Sequence, residues 1–486
     1  MADAQRTGTR VKPIHLIAVL CVVLYANWLV AIARFQPNVM FWDQWDFFYE
    51  LFYGGGWWNR FVHQHGPVRE GLGLVISGWI LEATNLDVRY DSLWIATVLL
   101  AATVLALRLK SKMAGPLELR DAWIPVLGLS LGQFETVLTT PNASHSVMPL
   151  ALIMLAANIW LSPRPAVRYI GAAAVAFILT FTGFGLFAAA VIAMLLTAEV
   201  IRQARRRESR MACLAAGGVA LIVASWVLFS DGYLFQPAVE GFRFPWTPWT
   251  DYTRFVVLML TLPTWHVGAS APHYRMGIVL ALIVAAAAAR ITWVWLRRRT
   301  SVNDDVLVLL MGSSLLFVAA TAVGRIPLGV TGGMSSRYLS LMFPMWLTVY
   351  LAARPSRLAQ AVAVACVWLL ALAPYTAMAR RPLAEWPGTL GVTSDVLEVM
   401  QGFGMSKSAW ADAYLATGSW EAAQAAVVQP LYPDPRATRF DDKLRILRDR
   451  KQSFFAGDPG RRDYLPWLAD ERFTCPASGS SPHACR

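Results

Sequence analysis

Apolar runs of about 18 to 22 residues repeat along this chain, and nothing else in the sequence narrows its fold as sharply. A helix needs about 20 such residues to cross the hydrocarbon core of a bilayer. Lipid offers no water to backbone N–H and C=O groups, so a spanning segment is either a helix or part of a closed barrel. Long unbroken runs exclude the barrel, whose strands alternate over about 10 residues. The expected class is an all-α polytopic membrane protein. Composition agrees: 56% of residues are hydrophobic and 15% charged, where a soluble domain carries about a quarter. The mean hydropathy is +0.45.

Basic residues orient the spans. Arg6, Arg10 and Lys12 precede a first span at about Ile14 to Ala33, which puts the N-terminus in the cytoplasm and the next loop outside. That loop runs from about 34 to 91. Within it, Gly71 to Glu82 is apolar, but as a helix it covers only about 18 Å of a core of about 30 Å. It is expected to lie along the membrane surface. Lys110 and Lys112 close a second span, Ser92 to Leu109, on the cytoplasmic side. Further apolar segments fall at about 123–138, 147–161, 169–184, 186–200, 214–229, 276–296, 306–323, 339–353 and 362–378, giving about eleven spans within residues 1–378. A long external segment precedes the span that starts at about Met276; its piece Phe255 to Leu262 is expected to be partly embedded.

A polar tail, 379–486, is expected to form a small external domain, with helical pieces at 394–400, 410–428 and 441–451. Cys475 and Cys485 lie close enough in that tail to pair, and a disulfide needs an oxidising compartment. Cys21, Cys213 and Cys366 fall in apolar spans and read as small core residues. The net charge is +12. Its Arg and Lys residues sit beside the spans, and no basic groove interleaved with stacking aromatics is visible, so nucleic acid is not an expected partner.

The chemistry concentrates in the first loop, FWDQWDFFYELFYGGGWWNRFVHQHGPVR. Ionisable groups at a membrane surface are costly and tend to serve function. Asp43 and Asp46 stand at i and i+3, on one face if the segment is helical. Either could act as a general base, or cap a short helix at its N-terminus. His63, His65, Arg69 and Glu70 follow on the same arm. Trp42, Trp45, Trp57 and Trp58 suit an interfacial aromatic belt or platforms for sugar faces. Elsewhere Gln133 and Glu135, in GQFETVL, lie near the outer end of an apolar span, with Asn142 and His145 just beyond. Arg325, Arg337 and Tyr338 lie in GRIPLGVTGGMSSRYLS, where glycines beside fixed cations suit a phosphate. Arg337 could equally reach for lipid headgroups. The Asp and His spacing fixes no metal site, and a divalent cation is left open as a cofactor.

These motifs, WDQWD, HQHGPVR, QFE and GR…SRY, resemble those of the GT-C superfamily of polyprenyl-phosphate-sugar-dependent membrane glycosyltransferases. That superfamily includes protein O-mannosyltransferases, aminoarabinose transferases and arabinofuranosyltransferases. The shared layout is a first span, a large external loop with an acidic residue near its start, and a surface helix leading into the second span. The resemblance covers residues 1–378 in organisation and the first loop in motif. It implies a GT-C-like bundle in a bacterial inner membrane, with its active site on the extracytoplasmic face. It also implies that Asp43 or Asp46 is the base, although the family's closer acidic pair is here spaced as D-x-x-D. The expected partners are a polyprenyl-phosphate-linked sugar, a glycan, lipid or protein acceptor, and membrane lipids. A transporter or lipid flippase is the competing class; it would carry its ionisable residues near mid-membrane.

Overall fold

A computed structural model describes residues 12–236, 241–264, 273–298, 301–353, 357–378, 381–432, 438–457 and 462–468. Cys475 and Cys485 lie outside the described residues. Helix α1 (Pro13–Phe35) opens on a proline, whose missing N–H costs nothing in a first turn. It ends where Gln36 turns extended ahead of Pro37. The first loop then folds as α2 (Gln44–Phe47), α3 (Tyr49–Tyr53), α4 (Trp57–Val62), a hairpin of β1 (Gln64–His65) and β2 (Val68–Arg69), and α5 (Gly71–Ala83). Asp87 caps α6 (Val88–Ala114), its carboxylate accepting from the Arg89 N–H at 3.0 Å.

The bundle continues through α7 (Trp123–Gly128), α8 (Val147–Trp160), α9 (Pro165–Thr180), α10 (Leu186–Arg205), α11 (Ser209–Ser230) and α12 (Thr250–Met259). It closes with α13 (Tyr274–Arg298), α14 (Val302–Arg325), α15 (Leu339–Ala352) and α16 (Arg357–Met378). Every residue of α15 is buried, as befits a helix that is apolar all round. It packs against α14, α8, α13 and α16. Phe255 to Leu260 of the α12 region are largely buried against α13, α14 and the turn at Val330–Met334.

Among the described residues, six helices are long and apolar enough to cross a membrane: α1, α6, α10, α11, α13 and α14. Four of the other five expected spans come out shorter or broken. Helices α8, α9 and α15 have 14, 16 and 14 residues. Helix α16 spans 22 residues, Arg357–Met378. The stretch expected as one span over 123–138 stops at Gly128 and resumes as a 3-10 turn (Leu131–Gln133) and a π-turn (Glu135–Thr139).

The break leaves carbonyls that a continuous helix would satisfy internally, and several take side-chain partners instead. The Trp28 indole donates to the Leu129 carbonyl at 3.0 Å, and Gln133 to the Gly128 carbonyl at 3.0 Å. The Ser92 hydroxyl donates to the Val137 carbonyl at 2.6 Å. Lys407 donates to the Leu138 carbonyl at 2.8 Å, and Gln44 to the Pro141 carbonyl at 3.4 Å.

Lys407 comes from the tail, which forms α17 (Ser394–Thr417), α18 (Trp420–Ala425) and α19 (Phe440–Asp449). The Thr393 side chain caps the start of α17, and Gly418 in the left-handed region ends it. The helix runs straight through the gap expected between 400 and 410. Rather than building a separate core, the tail shares one with the first loop. Phe41, Trp45, Phe47, Phe48 and Phe52 pack in one cluster with Trp410, Tyr414, Phe440 and Phe454. Trp410 is fully buried, stacked on Tyr414 at 5.2 Å and meeting Phe440 edge-on at 5.6 Å. Trp410→Ala is expected to cost about 3–5 kcal/mol. It should release the tail from the loop, read as a lower melting temperature and faster proteolysis after residue 378.

Candidate functional site

The first loop turns back over the bundle, so that residues distant in sequence meet at one cavity. It has a volume of about 120 Å³ and is lined by Asp43, Glu135, His145 and Arg337, with Asn142 and three threonines, under the rings of Phe41, Trp42 and Phe403. Asp43 stands at the N-cap position of α2 but its side chain makes no capping hydrogen bond. Its Oδ2 instead lies 3.8 Å from Nε2 of His65. Its side chain lines the cavity and does not cap the helix. Its neighbour Trp42 sits at φ +49, a left-handed conformation that is strained for a bulky residue. Trp42 is pinned there by its N–H to the Leu431 carbonyl at 2.8 Å and its indole to the Pro430 carbonyl at 3.2 Å.

A second carboxylate–histidine pair stands beside the first. Nε2 of His145 is 2.8 Å from Oε1 of the buried Glu70, and the His145 and His65 rings are 5.9 Å apart. Gly71 makes this approach possible. It has φ +55, and a Cβ there would lie 2.2 Å from the Phe181 carbonyl oxygen. His145 is aimed by an Asx turn: Asn142 Oδ1 accepts from the N–H groups of Ser144 and His145 at 2.9 and 3.1 Å.

The opposite wall is cationic. Arg337 Nε donates to Ser335 Oγ at 2.8 Å and to Glu135 Oε2 at 3.3 Å. The Ser335 hydroxyl also donates to that carboxylate, at 2.5 Å. The π-turn thus supplies the acceptor that orients the arginine, in keeping with the occurrence of such turns at functional sites. Arg325 lies within electrostatic reach of both Arg337 and Asp43.

The remaining expected residues do other work. Asp46 accepts from the Tyr432 hydroxyl and lies 3.8 Å from Lys443, so it holds the tail to the loop. Arg69 binds the carbonyls of Phe229, Val62 and Asp231 and ties the hairpin to the end of α11. Gln133 bonds Gly128 and Ser340. His63 gives its carbonyl to the Glu70 N–H at 2.9 Å, and Tyr338 is buried edge-on to Phe317 at 6.1 Å. The wall residue Phe403 comes from the tail and carried no signal in the sequence. Among the described residues, no group of three or more His, Cys, Asp or Glu side chains is placed to hold a metal ion.

Burial works against the charges here, and pairing overrides it. For Asp43, burial is outweighed by the adjacent His65 and by the positive charge of Arg337, and the carboxyl is held well below the usual carboxylate range. His65 is pushed down by burial but raised more by Asp43, then by Glu70 and Asp46, reaching about 9. Glu70 is likewise lowered, its burial outweighed by His145. His63, with burial dominant, is lowered. The stability His65 contributes is whole below its ordinary value of about 6.5 and is lost as pH rises through about 9. The contribution of Asp43 is present above its ordinary value of about 3.9 and is lost only in strong acid. The pair is therefore charged across the neutral range.

Comparison of the chain with protein-family models, with curated proteins and with solved structures finds no match.

Removing the carboxylate should uncover the effect of burial on its partner. In Asp43→Asn the His65 titration, followed by NMR of the ring protons, is expected to fall well below 9. A titration that stays at 9 would place the source of the shift elsewhere.

Proposed function

We propose that the protein is an integral membrane glycosyltransferase that moves a sugar from a polyprenyl-phosphate donor to an extracytoplasmic acceptor. The observation that carries this reading is the cavity of about 120 Å³ that Asp43 and Arg337 both line, with His65 3.8 Å from the Asp43 carboxylate. Ordinary ligand pockets begin near about 300 Å³, so this space suits the reacting hydroxyl and phosphate oxygens, with the bulk of both substrates outside it. In this reading Asp43 accepts the proton of the acceptor hydroxyl as that oxygen attacks the anomeric carbon. The bond from that carbon to the donor phosphate breaks, and the phosphate leaves with its electron pair. Among the described residues, Arg337 uses only its main-chain N–H and Nε toward Glu135 and Ser335, leaving both terminal nitrogens for two phosphate oxygens. Phe41, Trp42 and Phe403 supply apolar faces for a sugar ring, which makes the tail part of the acceptor site.

The bundle in this reading is GT-C-like. The five remaining segments would join the six long helices to give the eleven crossings inferred from charge, with the loop and tail outside the cell. A transporter needs ionisable groups at mid-membrane. The buried ion cluster of Glu199, Arg202 and Asp305 lies instead within two turns of the end of α10 and in the first turn of α14, at one membrane boundary.

Membranes holding matched amounts of each variant would be supplied with radiolabelled sugars on polyprenyl phosphate. Asp43→Asn is expected to lower transfer by about 10²- to 10⁴-fold, the usual contribution of a general base. Arg337→Ala should lower it by about 10²- to 10³-fold, as when one charge-stabilising donor is removed. Asp46→Asn should keep turnover but loosen the tail. Wild-type transfer from no donor, or an Asp43→Asn variant equal to wild type, would sink the reading.

A further inference from the structure

At the far end of the bundle, a second region combines apolar length with unneutralised charge. Helices α1 and α6 pack together but leave a groove of about 850 Å³ between them, lined by Ile17, Cys21 and Val22 of α1 and by Leu100, Val104 and Leu107 of α6. Val22 and Val104 are exposed, so the groove opens outward from the bundle. Its lining runs along α1 from Lys12 to Tyr25. At 1.5 Å per residue this is about 20 Å, a little more than one leaflet of a core of about 30 Å.

The end of the groove that begins at Lys12 is cationic. Lys12, Arg108 and Lys112 line it, and Arg108 and Lys112 also line an adjoining polar pocket of about 620 Å³ with Arg168, Asn158 and Ser162. Four cations thus surround a joint between an apolar channel and a polar chamber, and among the described residues no carboxylate lines either one. The nearby Lys110 shows what neutralisation looks like here: its ammonium is 2.6 Å from Asp121. Lys112 has only the Asn158 carbonyl, at 3.3 Å. Arg168 gives one nitrogen to the Ser162 carbonyl at 2.8 Å, while its Nε is buried with no hydrogen-bond partner. Like charges gathered in this way repel one another until an anion sits among them.

We infer that this joint is a binding site for an anionic phospholipid. Its phosphate lies among Arg108, Lys112 and Arg168, and one acyl chain lies in the α1–α6 groove. Basic pockets between membrane helices take such headgroups, and this groove gives the chain a place that a soluble phosphate does not need. The site lies about 30 Å along α1 from the candidate catalytic cavity, at 1.5 Å per residue. It stands whether or not the protein transfers sugars.

The test uses the full chain in a zwitterionic detergent, titrated with phosphatidylglycerol and with phosphatidylcholine of the same acyl chains, bound lipid being counted by native mass spectrometry. Wild type is expected to retain phosphatidylglycerol in preference. The Arg108→Gln/Lys112→Gln double variant should weaken that binding by roughly tenfold or more, since each basic residue near an anionic lipid matters. Val104→Trp should also weaken it, by filling the groove without touching a cation. All three side chains are exposed, and an unchanged melting temperature would show that the variants fold. Equal retention of both lipids, or a double variant that binds like wild type, would overturn the site. Displacement by millimolar inorganic phosphate would do the same, by showing a soluble-anion site.

Discussion

A helix broken inside an apolar bundle must find partners for the carbonyls it frees, and the segment between Gly128 and Asn142 sets this requirement for the whole molecule. Its partners come from four separate places: Trp28 on α1, Ser92 on α6, Gln44 in the first loop and Lys407 in the tail. Satisfying one segment therefore draws the first span, the second span, the loop and the tail to a common point. Lys407 carries the heaviest cost. Burial pushes its ammonium down to about 7, and the Gln36 side chain at 3.1 Å and the Leu138 carbonyl at 2.8 Å are what it gains in return.

The candidate site is a by-product of that convergence. The π-turn that follows the break presents Glu135, which orients Arg337 through Ser335. The loop that Gln44 anchors presents Asp43 one residue earlier. The tail helix that Lys407 anchors presents Phe403 one turn earlier. Residues from 41 to 403 thus line one cavity, brought together from the first loop, the broken segment, the turn before α15 and the tail. The shared aromatic core of loop and tail then fixes the distance between the acidic and cationic walls.

Two histidine–carboxylate pairs side by side give the acidic wall its character. A lone carboxylate buried there would favour its neutral form. His65 beside Asp43 and His145 beside Glu70 keep both carboxyls ionised, each holding a charge that burial alone would remove. The opposite wall holds Arg337 with Glu135 as its counter-charge, so the cavity contains both signs in separate places. A reaction that takes a proton on one side and releases an anion on the other needs that separation.

The helical membrane class was legible in the sequence because it follows from run length and backbone chemistry alone. So was the crowding of ionisable and aromatic residues into the first loop, part of which lines the cavity. That the helix over Gly71–Ala83 is too short to cross a membrane also followed from the sequence. Only the tertiary structure could separate Asp43 from Asp46. Both are carboxylates three residues apart, and the difference is that Tyr432 and Lys443 reach one while His65 reaches the other. It alone turned Arg69 and Gln133 from candidate binders into ties between backbone segments. The break after Gly128 was likewise invisible, because an apolar run reads the same whether its carbonyls are satisfied within the helix or by Trp28, Ser92 and Lys407 from elsewhere. Hydrophobicity is local and can be read along a chain; hydrogen-bond partners hundreds of residues apart are decided by how the chain packs.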